Sequence, residues 1–138
     1  MQIYVSGPVV DELNEKHMLE RIYILIEEIL HDHKVDLPLR SRDLDKLSPE
    51  KFYSSVFDMI ARSDGVISVL TEGDQSGPVE STVASFKRKP QCIMEMSAST
   101  PRLLRGLPFV VDVTNLDSKK ELEPQVRACL ERFLKSLN

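Results

Sequence analysis

The chain has 138 residues, 41% hydrophobic and 29% charged, which suits one soluble domain with a real core and leaves no room for a second. No apolar run approaches the ~20 residues of a membrane-spanning helix, and Met1-Gln2-Ile3 enters a strand pattern with neither a basic stretch nor a small-residue cleavage site, so a cytoplasmic protein is expected. A formal net charge of −4 with dispersed basic residues offers no general attraction to a phosphate backbone, which disfavours nucleic-acid polymers as partners.

In chain order, Gln2 to Ser6 alternates and ends at Gly7-Pro8, as a strand leading into a turn does. A long helix is predicted over residues 11–33, with Met18, Ile22, Leu25 and Ile29 at helical spacing and Leu19, Ile26 and Leu30 widening the stripe. Val35 to Leu39 is a short apolar run, and Pro38, lacking a ladder donor, makes it an edge strand. Ser48-Pro49 starts the next helix, since serine caps and proline suits the first helical position; Phe52, Val56, Met59 and Ile60 form its expected buried side.

Val66 to Leu70 is almost wholly apolar, as a central parallel strand covered on both faces must be. A helix over 79–87 follows, then strands over 91–96 and 109–113. Ser118 and Glu121 have capping-box spacing ahead of a last helix whose Leu122, Val126, Leu130, Phe133 and Leu137 share one face. Alternating strands and helices predict a single three-layer α/β domain over 1–138 with about five parallel strands, flavodoxin-like or Rossmann-like. Cys92 and Cys129 lie far apart in sequence, form no C-x-x-C motif, and read as reduced core thiols.

Ligands of open parallel sheets bind at the carboxyl ends of the strands. Two carboxylates, Asp74 and Glu80, follow the central apolar strand there, with Glu80 expected in the first turn of the next helix, where the helix terminus favours an anion. A bare helix-stabilising role for Glu80 and a turn role for Asp74 are open on spacing alone. His31 and His33 are two apart on a helix and face different ways, and His17 has no partner at i, i+4, so no metal is expected. Gly7 belongs to no G-x-G-x-x-G or G-x-x-x-x-G-K pattern, and Lys87-Arg88-Lys89 suits a helix carboxyl end.

Ile3-Tyr4-Val5-Ser6-Gly7-Pro8, Ser63-Asp64-Gly65-Val66-Ile67, the loop from Asp74 to Glu80 and Lys87-Arg88-Lys89-Pro90 together resemble the nucleoside 2-deoxyribosyltransferase family and the related 2′-deoxynucleoside 5′-phosphate N-hydrolases, over most of the chain and in the same order. The resemblance implies strand order 2-1-3-4-5, which sets the crevice between the first and third strands, beside Ser6, Gly7 and Pro8 and the loop bearing Ser76 and Gly77. It implies cleavage or transfer of the N-glycosidic bond of a nucleoside or nucleoside 5′-monophosphate, with Glu80 as nucleophile, Asp74 holding and protonating the base, Tyr4 orienting the glutamate, and no metal or organic cofactor. Ser6, Gly7, Ser99, Thr100 and Arg105, with Arg40 and Arg42, are phosphate candidates, and a homodimer or larger assembly is implied.

The chain departs from the family pattern at Val56, where an aspartate is usual; Asp58 lies two residues on and would need a shifted register to substitute. A non-catalytic nucleotide-binding or interaction module, or an NAD-type nucleotide hydrolase, are the rival readings.

Overall fold

A computed structural model describes residues 1–8, 16–37, 46–72, 76–96 and 100–138. Five strands, β1 (Gln2–Ser6), β2 (Lys34–Asp36), β3 (Gly65–Leu70), β4 (Gln91–Met96) and β5 (Val110–Leu116), form one parallel sheet in the order β2-β1-β3-β4-β5. The helices are α1 (Lys16–Ile29), α2 (Pro49–Arg62), α3 (Ser76–Phe86), the short α4 (Arg102–Arg105) and α5 (Leu122–Leu137). The chain reverses direction across the sheet between β1 and β3, so the crevice opens beyond Ser6 and Leu70.

The two faces of the sheet differ in chemistry, and strand alternation is the cause. Ile3, Val5, Ile67, Val69, Cys92 and Met94 point to the α1/α5 side and join Leu19, Ile22, Ile26, Leu130 and Phe133 in the main hydrophobic core. The intervening residues face α2, α3 and α4, and many are polar: Tyr4, Ser6, Ser68, Gln91 and Glu95 are all buried. On that side Ser68 and Ser81 share a 2.9 Å hydrogen bond, and Gln91 Nε2 donates to the Ser81 carbonyl and the Ser85 hydroxyl.

Several expected boundaries shift for identifiable reasons. The described part of the first helix stops at Ile29, because Lys34 must already donate to the Met1 carbonyl as β2 joins β1. That strand is at the sheet edge, as expected, but ends at Asp36; Pro38 lies outside the described residues. Ser48 caps α2 by accepting from the Lys51 amide, with Pro49 at the first position. Of its apolar stripe only Ile60 is buried, while Phe52 stays 38% exposed.

The expected capping box at Ser118 does not form: Glu121 precedes α5 without a side-chain cap. Gln125 secures the turn instead, accepting from the Asp117 amide and donating to the Asp117 and Glu121 carbonyls. Phe109, with φ 73°, lies outside β5, which begins at Val110 and runs on to Leu116. The two cysteines are both free and buried; the Cys129 thiol donates to Asp112 at 3.3 Å, and burial, ahead of the neighbouring Cys129, pushes the Cys92 thiol up.

Candidate active site

Tyr4 and Ser6 lie two apart on β1 and therefore face the same side of the sheet, toward α3. There the Tyr4 hydroxyl donates to one Glu80 oxygen at 3.0 Å and the Ser6 hydroxyl donates to the other. An ionised carboxylate only accepts, so a donor on each oxygen matches the form a nucleophile needs. Burial first, and then the charge and hydrogen bond of Glu80, push the Tyr4 phenol well above its ordinary range, so it remains a proton-bearing donor.

Glu80 does not occupy the first helical turn. The helix begins at Ser76, which makes Glu80 its fifth residue, and Pro78 fits the first turn because its missing N–H has no partner to lose there. The helix-terminus effect falls off within that first turn, so the two hydroxyls, rather than the helix dipole, hold the carboxylate.

The strand end carrying Ser6 is fixed from the α1 side. Tyr23, fully buried on α1, donates from its hydroxyl to the Pro8 carbonyl at 2.8 Å. A Cβ on Gly7 would sit 2.2 Å from that hydroxyl, so only glycine allows this approach. Ser6, Gly7 and Pro8 thus hold their places at the crevice for a reason that the sequence pattern did not reveal.

Beside Glu80 lies a cavity of about 180 Å³. One wall is Phe52, Tyr53, Val56 and Phe57 of α2; the other is Val79 and Val83 of α3, with Ser76 and Glu80 as its polar members. Phe57 is held on two sides, by the Lys87 ammonium 4.1 Å from its ring centre and by the Tyr53 ring at 5.8 Å. The exposed part of the α2 stripe is therefore the wall of this cavity. Val56, at the position where an aspartate is usual in the resembling family, is part of it. Asp58 is exposed and is not among the lining residues, and its carbonyl accepts from Arg62 Nε.

Thr100 and Arg105 converge on a residue missed in the sequence. Glu95, buried at the carboxyl end of β4, accepts from the Thr100 amide at 2.6 Å and from the Thr100 hydroxyl, while Arg105 bridges its other oxygen at 3.2 Å. A charged residue inside an apolar strand gave the signal: Glu95 interrupts Cys92-Ile93-Met94 and Met96. Another missed group is Thr71, buried just after β3, whose hydroxyl has no hydrogen-bond partner among the described residues. Ser76 is exposed and Gly77 buried at the start of α3. Asp74, Ser99, Arg40 and Arg42 lie outside the described residues.

No protein-family model and no curated protein matches the chain by sequence. Among solved structures it is similar to the CMP N-glycosidase BcmB of Clostridium botulinum, with a TM-score of 0.66 at 16% identity over 95% of this chain and 98% of that one. It is also similar to a 2-deoxyribosyltransferase from Bacillus psychrosaccharolyticus, with a TM-score of 0.62 at 17% identity over 89% and 90% of the two chains. A conserved protein of Enterococcus faecalis V583 aligns with a TM-score of 0.61 at 12% identity over 92% and 97%. The likeness is one of fold, and the five-stranded order expected from the sequence resemblance is the order present here.

Proposed function

We propose that this protein cleaves or transfers the N-glycosidic bond of a nucleoside or nucleoside 5′-monophosphate, with Glu80 as nucleophile. The observation that carries the reading is the pair of β1 hydroxyls, Tyr4 and Ser6, donating to the two oxygens of Glu80 at the carboxyl end of the sheet. The similarity of fold to an N-glycosidase and a deoxyribosyltransferase supports the same chemistry.

In this mechanism a Glu80 oxygen attacks the anomeric carbon as the bond from that carbon to the base nitrogen breaks. The bonding pair leaves with the base, which takes a proton from Asp74, and a glycosyl ester on Glu80 remains. Water or a second base then attacks the same carbon and frees the carboxylate; the incoming group's proton goes to Asp74. Tyr4 and Ser6 hold the carboxylate before attack and keep their protons throughout. Ser6, Gly7, Pro8, Ser76 and Gly77 border the sugar; Arg105, half exposed beside Glu95, and Ser99 serve a 5′-phosphate, while both Thr100 donors are already taken by Glu95. No cofactor enters these steps, and the protein works as a homodimer in the cytoplasm.

The test is release of free base from a panel of nucleosides, deoxynucleoside monophosphates and NAD, followed by chromatography, with Glu80→Gln as control. Base released by the wild type and lost in the variant is the expected result; equal release by both removes Glu80 from the mechanism. Val56 in the cavity favours the second reading, a binding module without turnover, which predicts ligand binding and no free base.

A further inference from the structure

The cavity beside Glu80 has dimensions and walls that restrict what can enter it. An apolar cavity of about 150 Å³ holds one benzene ring; the cavity here, about 180 Å³, has space for such a ring and one small substituent. A fused bicyclic base is larger than that volume. Among the described residues the lining is mostly apolar, with Glu80, Ser76 and the Tyr53 hydroxyl as its polar groups, so an amino or carbonyl edge loses more water there than a methyl or halogen does.

The main wall is fixed in advance. Phe57 lies against the ammonium of Lys87, the residue after α3, and is tilted 34° to Tyr53 on its own helix, so the cation joins the end of α3 to α2 beside the cavity and steadies the ring. Little side-chain freedom then remains to be lost on binding.

We infer that this cavity is the seat of the leaving base and that it selects a single six-membered ring, a pyrimidine with a small apolar substituent in preference to an unsubstituted amino-pyrimidine or a purine. Phe57 is the specificity-determining wall and Lys87 its positioning residue. Naming the ring as the leaving base rests on the N-glycosidic reading above; the size and polarity of the cavity do not.

The experiment uses free bases, so that no bond need be cleaved. Thymine, cytosine and adenine are titrated into the full chain while the methyl signals of Val56 and Val83 are followed by NMR. Thymine is expected to shift both sets, with cytosine and adenine weaker by about tenfold or more. Val83→Phe, which fills the cavity, abolishes the thymine shift at Val56 with the melting temperature retained. Lys87→Met weakens thymine several-fold and narrows its advantage over adenine, which a merely stabilising lysine would not do.

Adenine binding as tightly as thymine, or no base moving either valine, overturns the inference. The base-release panel separates the two ideas. Equal turnover of purine and pyrimidine substrates sinks the ring selection and leaves the reaction standing. Thymine in the cavity with no base released from any substrate sinks the reaction and leaves a monocyclic-ring site.

Discussion

Glu80 is held by neighbours that act in opposite ways on a proton. Its own hydrogen-bond demand is met by Tyr4 and Ser6, while its charge makes Tyr4 harder to ionise. Glu80→Gln is expected to lower base release by several orders of magnitude with the fold intact, since the amide fills the same volume and keeps an acceptor. Tyr4→Phe is expected to lower turnover about 10–100-fold while leaving its dependence on pH between 8 and 10 unchanged, because the phenol keeps its proton throughout that range. A raised tyrosine pKa stabilises the folded state fully below the ordinary value near 10 and is lost as pH rises beyond it. Denaturant titrations at pH 9 and 11 should therefore show the wild type losing more stability than Tyr4→Phe. Equal losses would mean that Tyr4 is not held in this way.

Among the elements, α2 and α5 give separate tests. Ser48→Ala removes the cap that accepts from the Lys51 amide, and about 1 kcal/mol of stability should go with it, read from denaturant midpoints. Against α5, burial alone would raise the Asp112 carboxyl, but hydrogen bonds from Arg132, Thr114 and Cys129 outweigh it and hold the group below its ordinary range. A lowered carboxylate pKa contributes stability above the unfolded value, 3.8, and loses it as pH falls through the folded one. Arg132→Met should therefore melt lower than the wild type at pH 6, and the gap should close toward pH 3. A gap independent of pH would assign Arg132 to packing alone.

How far these elements were legible depends on which force sets each one. The strands and the stripes of α1 and α5 follow hydrophobic periodicity, and residues such as Ile22, Leu130 and Phe133 are buried as their spacing requires. Glu80 was singled out by its place after the central strand as well as by family likeness, Tyr4 by family likeness alone, and their hydrogen bond joins residues 76 apart in sequence. Tyr23 against Gly7, Thr100 against Glu95 and Lys87 over Phe57 are pairings between elements, so no local pattern carries them. The start of α3 was misplaced because Pro78 reads as a boundary, whereas it fits inside a first turn.

For the molecule as a whole, the four most exposed large apolar side chains among the described residues lie on helices of one sheet face. Tyr53 is 56% exposed, Val79 59%, Phe86 85% and Leu103 86%, and these belong to α2, α3 and α4. Such patches are usually covered. Sedimentation at micromolar concentration should give a dimer, and Phe86→Lys with Leu103→Lys should give a monomer with an unchanged circular dichroism spectrum. A wild-type monomer at high concentration would remove the homodimer reading. Val56 also has a whole-molecule consequence: with no aspartate in that wall, Asp58→Asn should be nearly silent in turnover, and a loss of 100-fold or so at constant melting temperature would bring Asp58 into the site.

The sheet separates two kinds of evolutionary risk. Because neighbours in β1, β3 and β4 face opposite ways, Tyr4 and Ser6 can change without touching the layer formed by Ile3 and Val5, and Ser68 without touching Ile67 and Val69. A saturation library should divide accordingly: substitutions at Ile3, Val5, Ile67 or Val69 deplete soluble protein, whereas small ones at Ser6, such as Ser6→Ala, yield soluble protein with altered or absent turnover. Such a chain can exchange one substrate for another through variants that all remain folded, with α1 and α5 as the unvarying support.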